Sequence, residues 1–441
     1  MNNPTPLCDS HKPMTSKVLL TRTQLQMRSG SDSQITEPAG LFLSERPRYA
    51  EWHIAAYKHV SYTVHLCSDL LDPNNPTLAS AGSSGEASGR RRLIVLDAQV
   101  HKLHGSRISR YFAAQGVECE LHRLDAHEGV KTMESVFGVV SAMSRFGISR
   151  RSEPLIAIGG GVLGDIAALA ANLYRRSTPF VRVPTTLMGM IDAGIGVKTG
   201  VNFFDQKNRL GTYYPAMANL IDPAFLSTSD PRHLRNGMAE ALKIGLIKDV
   251  ALYRLLQMHG NRLVEERMQR INSADDGATA HEIFRRSIHG MLQELQPNLW
   301  EDELQRVVDY GHTFSPTIEM HALPELLHGE AVTIDMALSL TLAHLRGLLT
   351  HGEYAESLEV IHGLGLPVWH PVCTHGLLRD ALADTVRHRN GQQLIPLTDG
   401  LGHACFVNDV TSAELEEALK IIVSMAGSPG FQAGRRPTCI A

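Results

Sequence analysis

No apolar run in this 441-residue chain reaches the roughly 18 residues that a membrane-spanning helix needs. Nor is there a basic excess. Forty-two Lys and Arg stand against 46 Asp and Glu, a formal net charge of −4, so the electrostatic footprint of a nucleic-acid binder is missing. Cysteine is sparse. The six (Cys8, Cys67, Cys119, Cys373, Cys405, Cys439) are scattered without a CxxC pair, which argues against a disulfide framework and a cysteine-based zinc knot. Free thiols in a reducing compartment are expected instead. No charged-then-apolar segment opens the chain, so a secretory leader is not expected and the cytoplasm is the expected location. Internal repeats are also missing. What is left is an ordinary globular composition, 43% hydrophobic, at a length that predicts two domains.

The pattern along the chain divides it. Residues 1–45 are polar and rich in Ser, Thr, Pro and Gln, and are expected to form a disordered tail. From 46 to 224 strand-like and helix-like segments alternate. Strands are expected at Tyr62–Leu66, Leu93–Asp97, Cys119–Leu124, Leu155–Ile158 and Phe180–Val183. Helices are expected at Ser106–Gln115 (Ser106 as N-cap), Met133–Phe146 and Asp165–Tyr174. Such alternation implies βαβ units and a Rossmann-like parallel sheet. Residues 225–425 read as helical, with segments Leu234–Met258, Ala280–Leu295, Leu304–Met320, Gly329–Leu348 and Gly352–Leu364, and with Pro231, Pro324 and Pro367 between them. Residues 426–441 lose the pattern again. The expected fold is an α/β nucleotide domain followed by an all-α domain.

Three constellations carry chemistry. Gly159-Gly160-Gly161-Val162-Leu163-Gly164 fits G-x-G-x-x-G after a strand and before a helix, with Asp165 next. Glycines there let backbone approach a pyrophosphate at a helix N-terminus; the same turn can also simply need glycine. A Rossmann acid should follow by about twenty residues, whereas the best candidate, Asp97, precedes the glycines, so the strand order must differ from the usual one. Glu240, His312 and His328 have the composition of an open catalytic zinc site, although 22 histidines allow such triads by chance. Lys243 shares a helix face with Glu240. Finally, the glycine-rich run from Asp192 through Lys198 to Asn202, followed by Lys207, Asn208 and Arg209, suits a phosphate monoester, with Arg175 and Arg176 as possible additions. A solvated basic loop is the alternative.

Together the motifs GGGVLGD, RVPTTLMGMIDAGIGVKTGVN, KNRLGTYYP, RNGMAEALK, YGHTFSP and LHGEAV occur in the order found in the dehydroquinate synthase superfamily of sugar phosphate cyclases, which this chain resembles over residues 55–410. The wording is closest to the branch of 2-epi-5-epi-valiolone synthases, which cyclise sedoheptulose 7-phosphate. The resemblance implies bound NAD at Gly159, Gly160, Gly161, Asp165, Asp97, Glu128, Lys131, Thr185 and Thr186. It implies a divalent metal, zinc or else cobalt, on Glu240, His312 and His328. Lys198, Asp192, Lys243 and Asn208 are then expected to serve the chemistry. Lys207, Asn202, Arg387 and, across the contact of a homodimer, Arg176 are expected to hold the sugar phosphate.

Departures from true dehydroquinate synthases bear on the substrate. Pro316 replaces the second histidine of GHxxGHxxE, Met291 replaces a lysine, and Gln305 falls where an arginine should meet a substrate carboxylate. Cations without their anion are costly to bury, so their loss fits a substrate without a carboxylate. The implied cycle takes hydride from one hydroxyl, eliminates phosphate from the activated position, returns the hydride and closes a carbocycle by an intramolecular aldol step. No net redox change results. The alternatives are a sister cyclase giving 2-epi-valiolone or demethyl-4-deoxygadusol, dehydroquinate synthase itself, a metal- and NAD-dependent alcohol dehydrogenase, and an inactive metal-stabilised scaffold.

Overall fold

The computed structural model describes residues 18–19, 39–46, 49–82, 91–204, 206–269 and 277–427. Most of the expected tails, 1–45 and 426–441, lies outside these residues. Within the first of them, β1 (Val18–Leu19) and the start of β2 (Gly40–Arg46) are extended, and with β3 (Tyr49–Ala55) they form an antiparallel sheet in the order β1-β2-β3. This belongs to a separate unit ending at Ser61; the rest forms a second unit from Tyr62.

The second unit begins with β4 (Thr63–Leu66), α1 (Thr77–Ser80), β5 (Arg91–Asp97), α2 (Ala98–Ala114), β6 (Glu118–Leu124), α3 (Met133–Phe146), β7 (Leu155–Gly159), α4 (Gly161–Leu173) and β8 (Phe180–Pro184). A hairpin of β9 (Lys198–Phe203) and β10 (Gln206–Tyr213) follows, then β11 (Ala218–Ile221). Six strands make a wholly parallel sheet in the order β4-β11-β8-β7-β5-β6. Every residue of β7 is buried, as is every residue of β8 and of β11, because helices on parallel crossovers cover both faces and leave continuous apolar runs. The chain runs from β5 out to β6, then returns across β5 to β7 and continues the other way. That reversal opens a crevice at the carboxyl ends of β5 and β7.

The expected helix start at Ser106 is corrected to Ala98. Asp97 is both the last residue of β5 and the N-cap of α2, its carboxylate accepting from Gln99 N and Val100 N, so no loop separates strand from helix. The glycine-rich run from Lys198 is a β-hairpin.

The helical part comprises α5 (Pro231–Ile247), α6 (Val250–Glu265), α7 (Ala278–Leu295), α8 (Ser315–His321), α9 (His328–Leu345), α10 (His351–Gly363), α11 (His375–His388) and α12 (Ser412–Ala426), with a small hairpin of β12 (Ile395–Thr398) and β13 (Ala404–Val407). The single helix expected over Leu234–Met258 is two, because Asp249 caps α6 through Leu252 N and turns the chain back. The helix expected over Leu304–Met320 forms only from Ser315. Gly311 at φ +73° breaks it, held against Val332 and Met336 of α9 where a Cβ would come within 3.0 Å of both side chains. α9 is buried along nearly its whole length, and an apolar surface on all sides makes it the central helix of this part.

Candidate active site

The glycine turn sits at the crevice. Gly159 ends β7, Gly160 is the N-cap of α4 and Gly161 its first residue, and no side chain caps that terminus. Its amides are therefore available to an anion. Side chains would fill this cradle: a Cβ on Gly160 would stand 3.2 Å from Thr186 Cγ2, one on Gly161 3.3 Å from Ala193 Cβ, and one on Gly159 3.2 Å from Asp97 Cβ. The last contact shows why Asp97 precedes the glycines in sequence. Neighbouring strands β5 and β7 bring the acid beside the turn with their chain order exchanged. Thr185 N donates to Gly159 O at 3.0 Å, and Thr186 Oγ1 accepts from Gly189 N at 3.1 Å, joining β8 to the same cradle. The residues present fit a dinucleotide.

A polar network extends from it. Lys131 Nζ lies 2.6 Å from Asp165 Oδ2 and donates to Asn208 Oδ1 at 2.6 Å. Asn208 N donates to Asn202 Oδ1 at 2.9 Å, and Asn202 Nδ2 donates to Glu128 Oε1 at 2.9 Å. Burial works to lower the Lys131 ammonium, but Asp165 and Glu128 outweigh it and raise the pKa. So Glu128, Lys131, Asp165, Asn202 and Asn208 form one cluster spanning α4, the β9–β10 hairpin and the turn after β6.

The second half of the site comes from the helices. Glu240 and Lys243 project from one face of α5. Gly329, next to His328 at the head of α9, abuts Asn236 one turn before Glu240, and only glycine tolerates that approach: a Cβ would lie 2.1 Å from Asn236 O. His312 arrives from the loop before α8. The three side chains converge. His312 Nε2 is 3.7 Å and His328 Nε2 3.5 Å from Glu240 Oε1, and one donor atom from each residue lies within 4.8 Å of the others.

His312 Nδ1 faces the Tyr310 carbonyl at 3.0 Å. A carbonyl only accepts, so Nδ1 carries the proton and Nε2 presents its lone pair. His328 Nδ1 lies 2.8 Å from Glu319 Oε2, which orients that ring the same way. Glu240 Oε1 is buried without a hydrogen-bond partner among the described residues. With His328 deprotonated at Nε2, the three residues would present lone pairs to one point. A tetrahedral ion with bonds of about 2.0–2.2 Å would space its donors roughly 3.3–3.6 Å apart, close to the 3.7 and 3.5 Å from Glu240 Oε1 to the two imidazoles. The set fits zinc, and the carboxylate and carbonyl behind the imidazoles are the outer partners such sites use. Burial and Lys243 lower the His312 pKa to about 4. Burial and Lys207 also pull His328 down, but Glu319 and Glu240 outweigh them and raise it to about 9. A seated cation would take that proton's place.

One ladder of charged side chains joins the halves. Asp192 lies in the turn of residues 189–193 that packs on Gly161. Its Oδ2 accepts from Lys243 Nζ at 3.2 Å, and Lys243 Nζ is 2.6 Å from Glu240 Oε2. Glu240 and Lys243 are 1% and 2% exposed. Burial raises the Asp192 carboxyl to about 6 against the pull of Lys243. Burial also works to raise Glu240, but Lys243, His312 and His328 overcome it and hold it well below the usual carboxylate range. Lys243 stays charged, since its two carboxylates outweigh the burial that would lower it. The glycine turn and the histidine cluster are thus linked by a short run of side-chain contacts.

Lys207 Nζ lies 2.5 Å from Glu319 Oε1 beside the cluster. Lys198 stands at the rim, its side chain 55% exposed and paired with Glu301. Surrounding protein and the Arg306 cation lower its pKa to about 8. Two expected residues are exposed, and the Asp384 that pairs with one of them, Arg387, also lies 3.7 Å from Arg209 of β10. Arg176 is on the exposed turn between α4 and β8 at φ +58°, and Arg387 is exposed on α11, paired with Asp384 at 2.9 Å. Three contributors were not foreseen. Glu319 completes the expected GHxxGHxxE spacing seven residues after His312, so that motif could have found it. Arg182 is a lone cation in an apolar strand, and its Nη1 donates to Gly194 O at 2.9 Å and Gly196 O at 3.1 Å, shaping the loop between Asp192 and Lys198. Arg306 neighbours Gln305 but is held by Glu301 and Asp309.

Known proteins resemble this chain in sequence and fold. The family model for the 3-dehydroquinate synthase N-terminal part matches residues 121–236, and that for the C-terminal part matches residues 237–387. A 2-epi-5-epi-valiolone synthase of Streptomyces hygroscopicus subsp. jinggangensis is 58% identical over 87% of this chain and 92% of its own length. A demethyl-4-deoxygadusol synthase of Trichormus variabilis is 34% identical over 83% of this chain and 89% of its own. Among solved structures, a 2-epi-5-epi-valiolone synthase from the same Streptomyces, with NAD+ and Zn2+ bound, superposes with a TM-score of 0.80 at 57% identity, covering 85% of this chain and all of that one.

Proposed function

The chain belongs to the 3-dehydroquinate synthase family, and from that premise we propose that it is a sugar phosphate cyclase converting sedoheptulose 7-phosphate to 2-epi-5-epi-valiolone with release of phosphate. The observation that carries this reading is the ladder Asp192–Lys243–Glu240, which links a dinucleotide cradle to a two-histidine, one-carboxylate cluster. The identity to a relative of that name, 58% against 34% for the demethyl-4-deoxygadusol synthase, favours this product over the sister one.

NAD+ and a divalent metal on Glu240, His312 and His328, when bound, supply a hydride acceptor and donor and a Lewis acid. The protein's part is positioning. Buried Lys243 and partly exposed Asp192 form a donor and acceptor pair able to hold and move a proton at a sugar hydroxyl. Lys207, Asn208, Asn202 and Lys198, on the two strands of one hairpin, suit the phosphate as charge-assisted and amide donors. Among the described residues, the carboxylate-binding cations of dehydroquinate synthases have no free substitute at positions 291 and 305–306. Met291 is 3% exposed in the core, and Arg306 is neutralised by Glu301 and Asp309. That supports a substrate without a carboxylate.

The reading includes nucleotide binding by the sheet portion, metal and substrate binding by the helices from Pro231 onward, a homodimer whose second copy offers Arg176, and a cytoplasmic location in keeping with the free thiols of Cys67, Cys119, Cys373 and Cys405. No helix among the described residues is long and apolar enough to cross a membrane. The test is incubation with sedoheptulose 7-phosphate, NAD+ and Zn2+, with phosphate release and NMR of the product. Equimolar phosphate and 2-epi-5-epi-valiolone are expected. A different epimer or demethyl-4-deoxygadusol would assign a sister activity. Turnover of the seven-carbon acid phosphate instead would make this a dehydroquinate synthase.

A further inference from the structure

The loop that carries His312 has little structure of its own. Between Arg306 and Ser315 it holds one short turn, Val307–Asp309, and the positive-φ Gly311. Phe314, at the N-cap position of α8, has no side-chain oxygen and cannot cap that helix. The donors at this helix start are met from another element. Asp335, on α9, accepts from Phe314 N at 2.5 Å and from Ser315 N at 2.8 Å, both through Oδ2, while Ser339 Oγ lies 3.3 Å from Oδ1. Asp335 is fully buried, and no Lys or Arg pairs with it among the described residues. A buried carboxylate without a cation is costly, and consecutive amide donors are what stabilise it.

α9 also carries His328 at its first position, seven residues and about two turns before Asp335 on the same face. One helix thus bears one imidazole of the cluster and grips the loop bearing the other. Gly311 packs on Val332 and Met336 of that helix, beside Asp335 in sequence, so the grip has an apolar and a polar half. We propose that Asp335 is a positioning residue for the metal site, holding the His312 loop in register with His328 by accepting the amides at the start of α8. The proposal rests on the metal reading of Glu240, His312 and His328.

The sequence carries a hint of why a distant cap is needed. Pro316 occupies the first turn of α8, contributing no amide, so two of the amides left to anchor this turn are those that Asp335 takes. An asparagine at 335 could keep the acceptor oxygen toward Phe314 and Ser315 and donate its amide to Ser339. Alanine could do neither.

The experiment measures zinc affinity by competition with a chromophoric chelator, in full-length protein, for the parent, Asp335→Ala, Asp335→Asn and His312→Ala. NAD+ affinity is measured alongside as the check on folding. Asp335→Ala is expected to weaken zinc binding about 10- to 100-fold, the usual range for lost outer partners, with NAD+ affinity kept and with Asp335→Asn restoring most of the loss. In the cobalt-loaded protein the alanine variant should also alter the visible absorption band, which a purely stabilising residue would leave in place. If alanine fails to fold, Asp335→Ser, one bond too short to reach the amides, makes the same measurement. Zinc affinity and cobalt spectrum equal to the parent in the folded variant would overturn the positioning role of Asp335. Undiminished zinc binding in His312→Ala would overturn the metal reading itself.

Discussion

The two sides of the site are built by opposite means. On the sheet side, function follows from what side chains leave out. Gly159, Gly160 and Gly161 clear space at the crevice between β5 and β7 and expose the amides of α4. On the helical side, function follows from side chains carried in from afar. Glu240, His312 and His328 lie on α5, a loop and α9, and are surrounded by buried charges that need one another. A backbone cradle of this kind crowds any added side chain. A buried charge cluster costs much unless every member is paired. The first side should fail by steric filling and the second by loss of any one partner.

The largest effect should come from the helical side. His312→Ala is expected to abolish zinc binding and reduce kcat on the order of 10³-fold or more, since the metal's contribution is several kcal/mol. NAD+ titration should stay within about twofold of the parent, because the cradle is a separate set of contacts. A parallel loss of NAD+ binding would merge the two sides into one.

Lys243→Met attacks the ladder between them. It leaves Glu240 buried without its lysine and Asp192, partly exposed, unpaired, so stability without added zinc should fall by about 3–5 kcal/mol, read from denaturant unfolding. A change near zero would mean that the pair contributes nothing across the junction.

Gly161→Val is the converse of the histidine variant. Its side chain meets Ala193, so NAD+ affinity should drop about tenfold or more, about 1.4 kcal/mol or greater, while chelator competition gives the parental zinc affinity. Retained NAD+ affinity would remove the glycine turn from the cofactor site.

The smallest effect is expected far from both sides. On α7, Arg285 and Arg286 hold Glu282 down at about 2. A depressed carboxylate adds stability above its unfolded pKa and loses it as pH falls from about 4.5 toward 2. Glu282→Gln should make the acid limb of the stability profile slightly shallower, at a cost of about 0.5 kcal/mol or less because the pair is exposed. A cost as large as that of Lys243→Met would contradict the greater dependence of buried charges on their partners.

The same contrast explains what the sequence disclosed. Continuous apolar runs marked β5, β7 and β8 because a parallel sheet is covered on both faces, and the glycines marked the turn because a side chain there would crowd Thr186, Ala193 and Asp97. The metal residues were less legible. No spacing rule joins Glu240 to His312, 72 residues on, so composition alone left a chance triad open until the family motifs were recognised. Asp335 was invisible because it looks like any polar residue in a helix until Phe314 and Ser315 are folded against it. The helix expected over 304–320 failed for a related reason. Its periodicity was adequate, but Gly311 and the amides held by Asp335 serve the placement of His312 rather than helix continuity. The α11–α12 region with its hairpin was passed over even though Thr411 and Glu414 form a capping box readable as T-x-x-E.

In the proposed reaction, hydride is lent to the cofactor and returned within one turnover beside a metal. The most direct test of this cycle is to follow nicotinamide absorbance and phosphate release together while zinc-loaded protein turns over sedoheptulose 7-phosphate with NAD+. Phosphate release through many turnovers is expected, with at most a transient of reduced cofactor that decays to the starting level. Reduced cofactor accumulating in step with substrate consumed would contradict this cycle and make the protein a dehydrogenase.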